Sequence, residues 1–191
     1  MFSGKIEDYI LFEDKEIIVC RKPAGIAVQN ARIGAMDLES SLKNYLAMQD
    51  GGGRRIPYLA VIHRLDQPVE GILVFGKTPE AAKSLSAQIT AGKMEKIYLA
   101  VTYGKQAEAG KKEKVLEDYL KKDGKSNTSS VVNAHTPGAK KARLSYEVLG
   151  EAVDAISGKK KWLLRIHLDT GRHHQIRVQM AHAGMPLAGD R

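Results

Sequence analysis

Residues 58–78, YLAVIHRLDQPVEGILVFGKT, place a charged loop between two apolar runs. The segments 58–63 and 71–77 predict buried β-strands, because each is short, apolar and bounded by turn-forming residues. Functional side chains concentrate on loops that rigid strands hold in place. The loop between these strands is therefore the first candidate for a functional site, and its charged or titratable residues are His63, Arg64, Asp66 and Glu70.

The same apolar patterning continues on both sides of this stretch and predicts an α+β fold. Helices are predicted over 37–49, from Thr78-Pro79 to Gly92, and in the closing segment, where Ile176, Met180 and Ala183 mark an apolar face and Gly184 is the stop signal. The intervening stretches 104–114 and 121–141 are predicted loops. Many strands joined as hairpins favour a mixed, largely antiparallel sheet flanked by helices. The remaining predicted strands are 9–14, 16–23, 96–104, 115–120, 142–150 and 162–168.

Composition limits the classes of protein to consider. The 191 residues suit one domain with a real core, and the single cysteine, Cys20, excludes an intrachain disulfide. No apolar run approaches the ~20 residues of a membrane span, and the charged N-terminus does not resemble a signal peptide. A cytoplasmic protein is therefore expected. The formal charge of +8 favours a phosphate-rich partner, although a solvated basic surface without a specific partner remains the alternative.

Asp66 has two interpretations. An aspartate in an Asp-x-Pro sequence often caps a backbone N–H group of its own turn. Alternatively, Arg64 keeps the carboxylate ionised, and an ionised carboxylate at the end of a buried strand suits a nucleophile.

Tyr98 and Arg177 are two further candidates. Residues 97, 99 and 101 form one apolar face of a strand, which we interpret as the core stripe, so that Tyr98 lies on the opposite face. Its ring forms either a second core layer or a plate that stacks on a base. Arg177 borders the apolar face of the last helix and must reach solvent or an anion, for which Asp66 is a candidate.

The histidine-rich segment TGRHHQIR, 170–177, is a candidate metal site by composition. The two-histidine helical pattern of zinc proteases is absent and the neighbouring arginines repel a cation, so no metal is predicted. Gly171 to His174 at a helix start favour a phosphate instead. No glycine-rich nucleotide-binding pattern is present, so no nucleotide cofactor is predicted.

Four segments, in order along the chain, together resemble the RluA family of RNA pseudouridine synthases. IHRLDQPVEGILVFGKT is similar to the His-Arg-Leu-Asp motif of that family, and RKPAGIAVQ to its Lys-Pro-Ala-Gly segment. EKIYLAVTYG resembles its Lys-x-Tyr strand, and LDTGRHHQIRVQMAHAGMPLAGD its Thr-Gly-Arg-x-His-Gln-Ile-Arg segment. Four motifs in the family's order are far more specific than any one of them.

The resemblance implies roles for individual residues. Asp66 matches the catalytic aspartate, Tyr98 the tyrosine that contacts the uracil, and Arg177 the arginine that pairs with the aspartate. Arg64 matches the arginine that helps to displace the target base. The remaining residues implied to bind RNA are His63, Arg172, His173 and Gln175.

The resemblance also implies the pseudouridine synthase fold with a central RNA-binding cleft. The implied activity is isomerisation of uridine in ribosomal or transfer RNA, by a monomer without cofactor, metal or membrane. A non-catalytic RNA-binding protein and a metal-assisted hydrolase are the alternatives. Val69-Glu70 replaces the family's Thr-Ser, so local RNA contacts are expected to differ. We expect a single catalytic domain over 1–191, without an S4 domain and without the Tyr-Gly segment that follows Gly189-Asp190 in relatives.

Overall fold

The computed structural model describes residues 3–30, 36–51, 56–104 and 113–190. The chain divides into two compact units, Met1–Lys93 and Met94–Arg191. Among the described residues, no helix is long and apolar enough to cross a membrane. The expectation of one catalytic domain stays a prediction.

Unit 1 is built on a four-stranded sheet of order β1-β2-β4-β3, in which all neighbours are antiparallel. Helix α1 covers this sheet with Leu38, Leu42 and Leu46, which pack in one core cluster with the strand residues Leu73 and Phe75. The elements are a 3-10 helix at Ile6–Tyr9, β1 Ile10–Glu13, β2 Ile17–Lys22, α1 Leu38–Gln49, β3 Ala60–Val61, β4 Gly71–Gly76 and α2 Pro79–Thr90.

The two helices of unit 1 begin where the sequence predicts. The Asp37 carboxylate accepts a hydrogen bond of 2.7 Å from the Ser40 N–H group at the start of α1. Thr78 caps α2 in the same way through the Ala81 N–H group, and Pro79 occupies the first turn. Both caps satisfy backbone donors that a helix start leaves without partners.

Unit 2 is a five-stranded antiparallel sheet of order β5-β9-β8-β6-β7, with one helix on one face. Met180 of that helix packs in a core cluster with Trp162, Leu164, Ile166 and Leu144 of the strands. The elements are β5 Ile97–Tyr103, β6 Lys114–Asp123, β7 Thr128–Val131, β8 Lys140–Val153, β9 Lys160–Leu168 and α3 Gln175–His182. In the described part of the chain, antiparallel sheets with three α-helices confirm the predicted α+β class, whereas the RNA-binding cleft stays a prediction.

The predicted core face of β5 is wrong. Ile97 and Leu99 are 56% and 67% exposed, whereas Tyr98 and Ala100 pack against the core and Thr102 is fully buried. The register explains the reversal, because these three residues lie opposite Ile166, Leu164 and Trp162, the buried positions of β9. Alternation shows that a strand has two faces, but two apolar faces look alike in the sequence.

The predicted loop over 121–141 is also partly wrong. Strand β6 continues to Asp123, and β7 returns beside it with Lys122 opposite Ser129. Lysine and serine have low strand propensity, so pairing with β6 overrides the local signal. Within the other predicted loop, 104–114, residues 105–112 lie outside the described part of the chain.

Candidate active site

The loop that carries Asp66 connects the paired strands β3 and β4 over residues 62–70. The carbonyl oxygen of Asp66 accepts a hydrogen bond of 3.0 Å from the Val69 N–H group, so Asp66 opens a turn. The side chains of Asp66 and Arg64 are exposed, and His63 is half-buried. Unit 1 therefore presents the predicted carboxylate at the surface of a short loop between two strands.

Side chains of the loop itself fasten it to unit 1. His63 accepts a hydrogen bond at Nε2 from the Val74 N–H group of β4, at 3.4 Å. Leu65 packs against the core of unit 1. The Leu65 side chain also lies close to Gly71, because a Cβ atom added to Gly71 would be 2.9 Å from the Leu65 Cδ1 atom. His63 thus has a structural contact in addition to its predicted one with RNA, which stays a prediction.

A buried lysine forms a hydrogen bond with the same loop. Lys22, at the end of β2, is fully buried, and its ammonium group donates hydrogen bonds to the carbonyl oxygens of Ile26 at 2.7 Å, Pro23 at 3.0 Å and Gln67 at 3.0 Å. The Gly25 N–H group donates to the same Gln67 oxygen at 2.8 Å. These bonds join the turn at 22–26 to the residue that follows Asp66.

Two opposing effects act on the pKa of the Lys22 ammonium group. Burial lowers the pKa of its ammonium group, and the negative charges of Asp66 and Glu70 act in the opposite direction. The ammonium group therefore lies within electrostatic reach of the predicted catalytic carboxylate.

Sequence reasoning did not assign Lys22 a place in the site. The signal was present, since Ile18, Cys20 and Lys22 alternate in β2 and all three are buried. A lysine on the buried face of a strand needs polar partners, and the chain reversal at Pro23-Ala24-Gly25 supplies them.

Tyr98 lies on the core-facing side of β5, opposite Ile166 of β9. It is partly buried and packs against the core of unit 2. Lys96 lies two residues before Tyr98 in the sequence. Burial lowers the pKa of the Lys96 ammonium group, the negative charge of Asp169 raises this pKa, and the positive charge of Arg172 lowers it. Contact between Tyr98 and a uracil stays a prediction.

The Gln175 side chain organises the loop before α3. It is 3% exposed, and its Oε1 atom accepts hydrogen bonds from the Thr170 hydroxyl at 2.8 Å and from the Arg172 N–H group at 2.9 Å. Its Nε2 group donates to the Arg143 carbonyl oxygen at 3.0 Å. Gln175 therefore holds the 170–172 segment in place, and its predicted contact with RNA stays a prediction.

Arg172 and His173 extend this organised loop. The Arg172 Nε group donates to the Lys141 carbonyl oxygen at 2.8 Å, and His173 Nδ1 lies 2.8 Å from the Ser129 hydroxyl. The rings of His173 and His174 stack with centroids 3.8 Å apart.

The predicted phosphate site at this helix start stays a prediction, and two of its N–H groups have partners within the segment. The N–H group of Arg172 donates to the Gln175 side chain, and the N–H group of Gln175 donates to the Arg172 carbonyl oxygen at 3.1 Å. A phosphate would have to displace these internal partners.

Arg177 is paired within its own unit. Its guanidinium group donates two hydrogen bonds to the Asp190 carboxylate, one from Nε and one from Nη2. This two-pronged geometry fixes the plane of the guanidinium group. The predicted pair of Arg177 with Asp66 stays a prediction. Asp190 was part of the motif quoted from the sequence, but its partner was not predicted.

The histidine-rich segment does not assemble a metal site in the described part of the chain, where no group of three or more histidine, cysteine, aspartate or glutamate residues gathers. His167 Nδ1 lies 4.0 Å from Asp169, but Arg143 pairs with the same carboxylate. A guanidinium group in that position opposes a cation.

Comparison with known proteins gives a consistent result. The family model described as RNA pseudouridylate synthase matches residues 16–182. The chain is 32% identical over 189 residues to the ribosomal large subunit pseudouridine synthase D of Xylella fastidiosa, and 34% identical over 186 residues to that of Pseudomonas aeruginosa. It covers 50% and 53% of those proteins, so it spans about half their length. It also covers 76% of an uncharacterised RNA pseudouridine synthase of Zymomonas mobilis, at 32% identity.

Two solved structures have the same fold. The chain superposes on human RNA pseudouridylate synthase domain containing 4 with a TM-score of 0.74, and on human RNA pseudouridylate synthase domain containing 1 with a TM-score of 0.76. The sequence identities are 22% and 20%, and the matches cover 97% and 100% of this chain and 68% and 71% of those chains.

Proposed function

Because the chain belongs to the RluA family of RNA pseudouridine synthases, we propose that it isomerises specific uridines in structured RNA to pseudouridine, with Asp66 as the catalytic carboxylate. The assignment of Asp66 rests on the match of His63-Arg64-Leu65-Asp66 to the family motif. The observation that carries it is the support of this loop by Lys22, whose buried ammonium group is bonded to Gln67 and lies within reach of the Asp66 charge.

The reaction requires little chemistry from the protein. The N1–C1′ bond of uridine breaks, the uracil rotates, and a C5–C1′ bond forms. The C5 proton leaves to solvent and N1 gains a proton, so that uridine and pseudouridine have the same atoms. Nothing is oxidised or hydrolysed overall, and no co-reactant is needed. Asp66 either attacks C1′ as a nucleophile or assists departure of the uracil.

The other site residues serve access to the base. The target nucleotide must leave its stack, at a cost of a few kcal/mol. Arg64 is exposed beside Asp66 and can take the place of the displaced base. Tyr98 offers an aromatic face to the uracil, and Arg177 provides a positive charge for the carboxylate.

The substrate is a uridine in ribosomal or transfer RNA. Ribosomal RNA is favoured by the names of the Xylella and Pseudomonas relatives, which refer to the ribosomal large subunit. The formal charge of +8 suits such a polyanion. We propose that the protein acts in the cytoplasm as a monomer.

Release of tritium from RNA labelled at uracil C5 tests this function. We expect the wild-type protein to release tritium from ribosomal RNA and the Asp66→Asn variant to release none above background. Glu80→Gln, on the exposed first turn of α2, is the matched control and should retain activity. A wild-type protein that binds RNA without releasing tritium would favour the non-catalytic alternative. A folded Asp66→Asn variant with full activity would refute the role of Asp66.

A further inference from the structure

The hairpin of β6 and β7 carries positive charge that the predicted site does not use. Lys121, Lys122 and Lys125 are exposed near its tip. The Asp123 carboxylate shapes the turn, accepting hydrogen bonds from the Lys125 N–H group and the Ser126 hydroxyl. Lys121 acts electrostatically on Asp123. Lys122 and Lys125, here called the hairpin lysines, form no ion pair within the described ranges.

The hairpin is tied to the segment that contains the predicted site residues of unit 2. The Ser129 hydroxyl of β7 lies 2.8 Å from His173 Nδ1, just before α3 begins. Lys122 lies directly opposite Ser129 in the register of β6 and β7. Cross-strand partners project from the same face of a sheet, with Cβ atoms about 4.5–5.5 Å apart. The face of the hairpin that carries Lys122 is therefore the face that carries α3.

A cavity of about 380 Å³ lies at this junction. This volume falls within the roughly 300–1,000 Å³ of small-molecule sites. Its wall combines hydroxyl groups of the hairpin, the His174 imidazole, the Arg177–Asp190 pair and an apolar side. A nucleotide needs both kinds of surface, because it has a polar sugar and a flat, largely apolar base. The lining includes Thr128, Ser129, His174, Arg177, Leu187 and Asp190.

The backbone is strained at two points of the same region. Across the described residues, the non-glycine positions with left-handed backbone are Asn127, with φ of 51°, and His174, with φ of 52°. Asparagine and histidine adopt this conformation more often than most residues, but a non-glycine residue held in it is still strained. Asn127 lies at the hairpin tip and His174 in the cavity wall, so the strain coincides with the proposed contact surface.

We propose that the β6–β7 hairpin is an RNA-binding element. The hairpin lysines bind phosphates of the substrate strand, and the cavity holds the nucleotide next to the target uridine. Arg177 lines this cavity and is also a predicted residue of the catalytic site, so we take the bound nucleotide to be a neighbour of the target uridine. This inference rests on the proposed function, because it takes the ligand to be the substrate RNA.

The salt dependence of RNA binding tests the proposal. The probe is a short, fluorescein-labelled, uridine-rich single-stranded RNA, and affinity is measured by fluorescence anisotropy. The test variant is Lys122→Gln/Lys125→Gln. The control is Lys159→Gln/Lys160→Gln, two exposed lysines at the end of the β8–β9 connection and the start of β9, at the opposite end of the sheet. Both variants remove two charges, so a difference between them reports position and not net charge.

The expected effect follows from counterion release. Each phosphate contact to a single strand contributes about −0.7 to the slope of log affinity against log salt. Removal of two contacts should therefore weaken binding about sevenfold more at about 50 mM salt than at about 200 mM salt. The control should leave the slope unchanged. Equal losses in the two variants, or wild-type affinity in the hairpin variant, would overturn the proposal.

A second variant tests the link to α3. Ser129→Ala removes the contact with His173 and keeps both lysines, so we expect weaker binding than wild type with an unchanged salt slope. Wild-type affinity in this variant would refute the role of the Ser129–His173 contact. Tritium release separates this inference from the proposed function. If the wild-type protein releases tritium and the hairpin variant binds RNA with wild-type affinity, only the role of the hairpin is refuted. If the hairpin variant binds RNA more weakly but the wild-type protein releases no tritium, only the proposed isomerase activity is refuted.

Discussion

Lys22 and Gln67 are 45 residues apart in the sequence and are joined by a hydrogen bond of 3.0 Å from the Lys22 ammonium group to the Gln67 carbonyl oxygen. The Gln67 side chain returns a hydrogen bond of 3.0 Å to the Gly25 carbonyl oxygen. These hydrogen bonds therefore join the turn at 22–26 to the loop at 62–70. Asp66 directly precedes Gln67. The position of Asp66 therefore depends on Lys22, which lies outside the His63-Arg64-Leu65-Asp66 motif.

Replacement of Lys22 by methionine tests this dependence. Methionine is an unbranched side chain one atom shorter than lysine, and the change removes the donor of three hydrogen bonds. The Gln67 oxygen keeps the Gly25 N–H group as a donor, so the carbonyl groups of Pro23 and Ile26 are the ones left without the Lys22 donor. Each costs about 1–3 kcal/mol, partly offset by the apolar methionine. We expect the free energy of unfolding, measured with urea, to fall by about 2 kcal/mol. Tritium release should fall further than the loss of folded protein explains, because Asp66 loses its support.

Lys43→Met is the matched control for this change. Lys43 pairs with Glu39 one turn away on α1, at 2.7 Å, and keeps contact with solvent. Such helix pairs contribute about 0.3–0.5 kcal/mol. A Lys22→Met variant as stable and as active as the control would contradict the positioning role.

Arg64 is expected to act on base displacement and not on the chemical step. Arg64→Ala should lower turnover more on a structured RNA than on a short unpaired strand, because only the structured substrate requires unstacking. Tritium release on the two substrates measures this difference, and the unpaired strand serves as the internal control. Equal losses on both would remove the proposed role of Arg64.

Arg177 should not tolerate replacement by lysine. Its guanidinium group forms two parallel hydrogen bonds with Asp190, and an ammonium group cannot reproduce this geometry. We expect Arg177→Lys to lower turnover at least about tenfold, corresponding to about 1.4 kcal/mol of transition-state stabilisation. The melting temperature should change little, because partly exposed pairs contribute at most about 1 kcal/mol.

Arg165→Lys is the control, since Arg165 bonds to Glu147 at 2.6 Å on the exposed face of the sheet. It should leave turnover unchanged. If both variants had the same activity as wild type, Arg177 would not be part of the catalytic site.

The sequence predicted those features that depend on local patterns. Helix starts at Asp37 and Thr78 were correct because one side chain caps each start. Which face of β5 is exposed was not predictable from the sequence. The covered face is the one that packs in a cluster with residues far along the chain, such as Met180 of α3. Strand β7 was missed for a related reason: its Thr-Ser-Ser-Val sequence becomes a strand through pairing with β6.

The candidate site shows the same division. The motif around Asp66 was recognisable because it is continuous in the sequence. Its support by Lys22 and the pairing of Arg177 with Asp190 are tertiary contacts, across 45 and 13 residues respectively. A charged residue on a buried face signals that a partner exists, but the partner is identified only when the chain is folded.

Gly76 should be intolerant of a methyl group. A Cβ atom at this position would lie 2.9 Å from the Ala82 nitrogen and 3.0 Å from its Cα atom, both in the backbone of α2. Because a helix backbone cannot yield as a flexible side chain does, we expect Gly76→Ala to lower the free energy of unfolding by about 1–3 kcal/mol. Urea denaturation measures the change.

Gly124→Ala provides the comparison, because a Cβ atom there meets no heavy atom within 4 Å. Its effect should stay within about 0.5 kcal/mol. Similar stability of the two variants would show that α2 shifts readily away from β4.

Cys20 reports on the integrity of the unit 1 core. It is the only cysteine of the chain and is fully buried, and burial raises the pKa of its thiol to about 12. Since the thiolate is the reactive form, we expect Ellman's reagent at about pH 8 to react slowly with the native protein and rapidly in urea. In the unfolded chain the thiol pKa is about 8.5, so the unfolded state loses this proton first as the pH rises. The contribution of the thiol to stability therefore declines above that pH.

Gly76→Ala should accelerate native labelling of Cys20, because β4 pairs with the strand that carries Cys20. Rapid labelling of the native wild-type protein would contradict a closed core around β2.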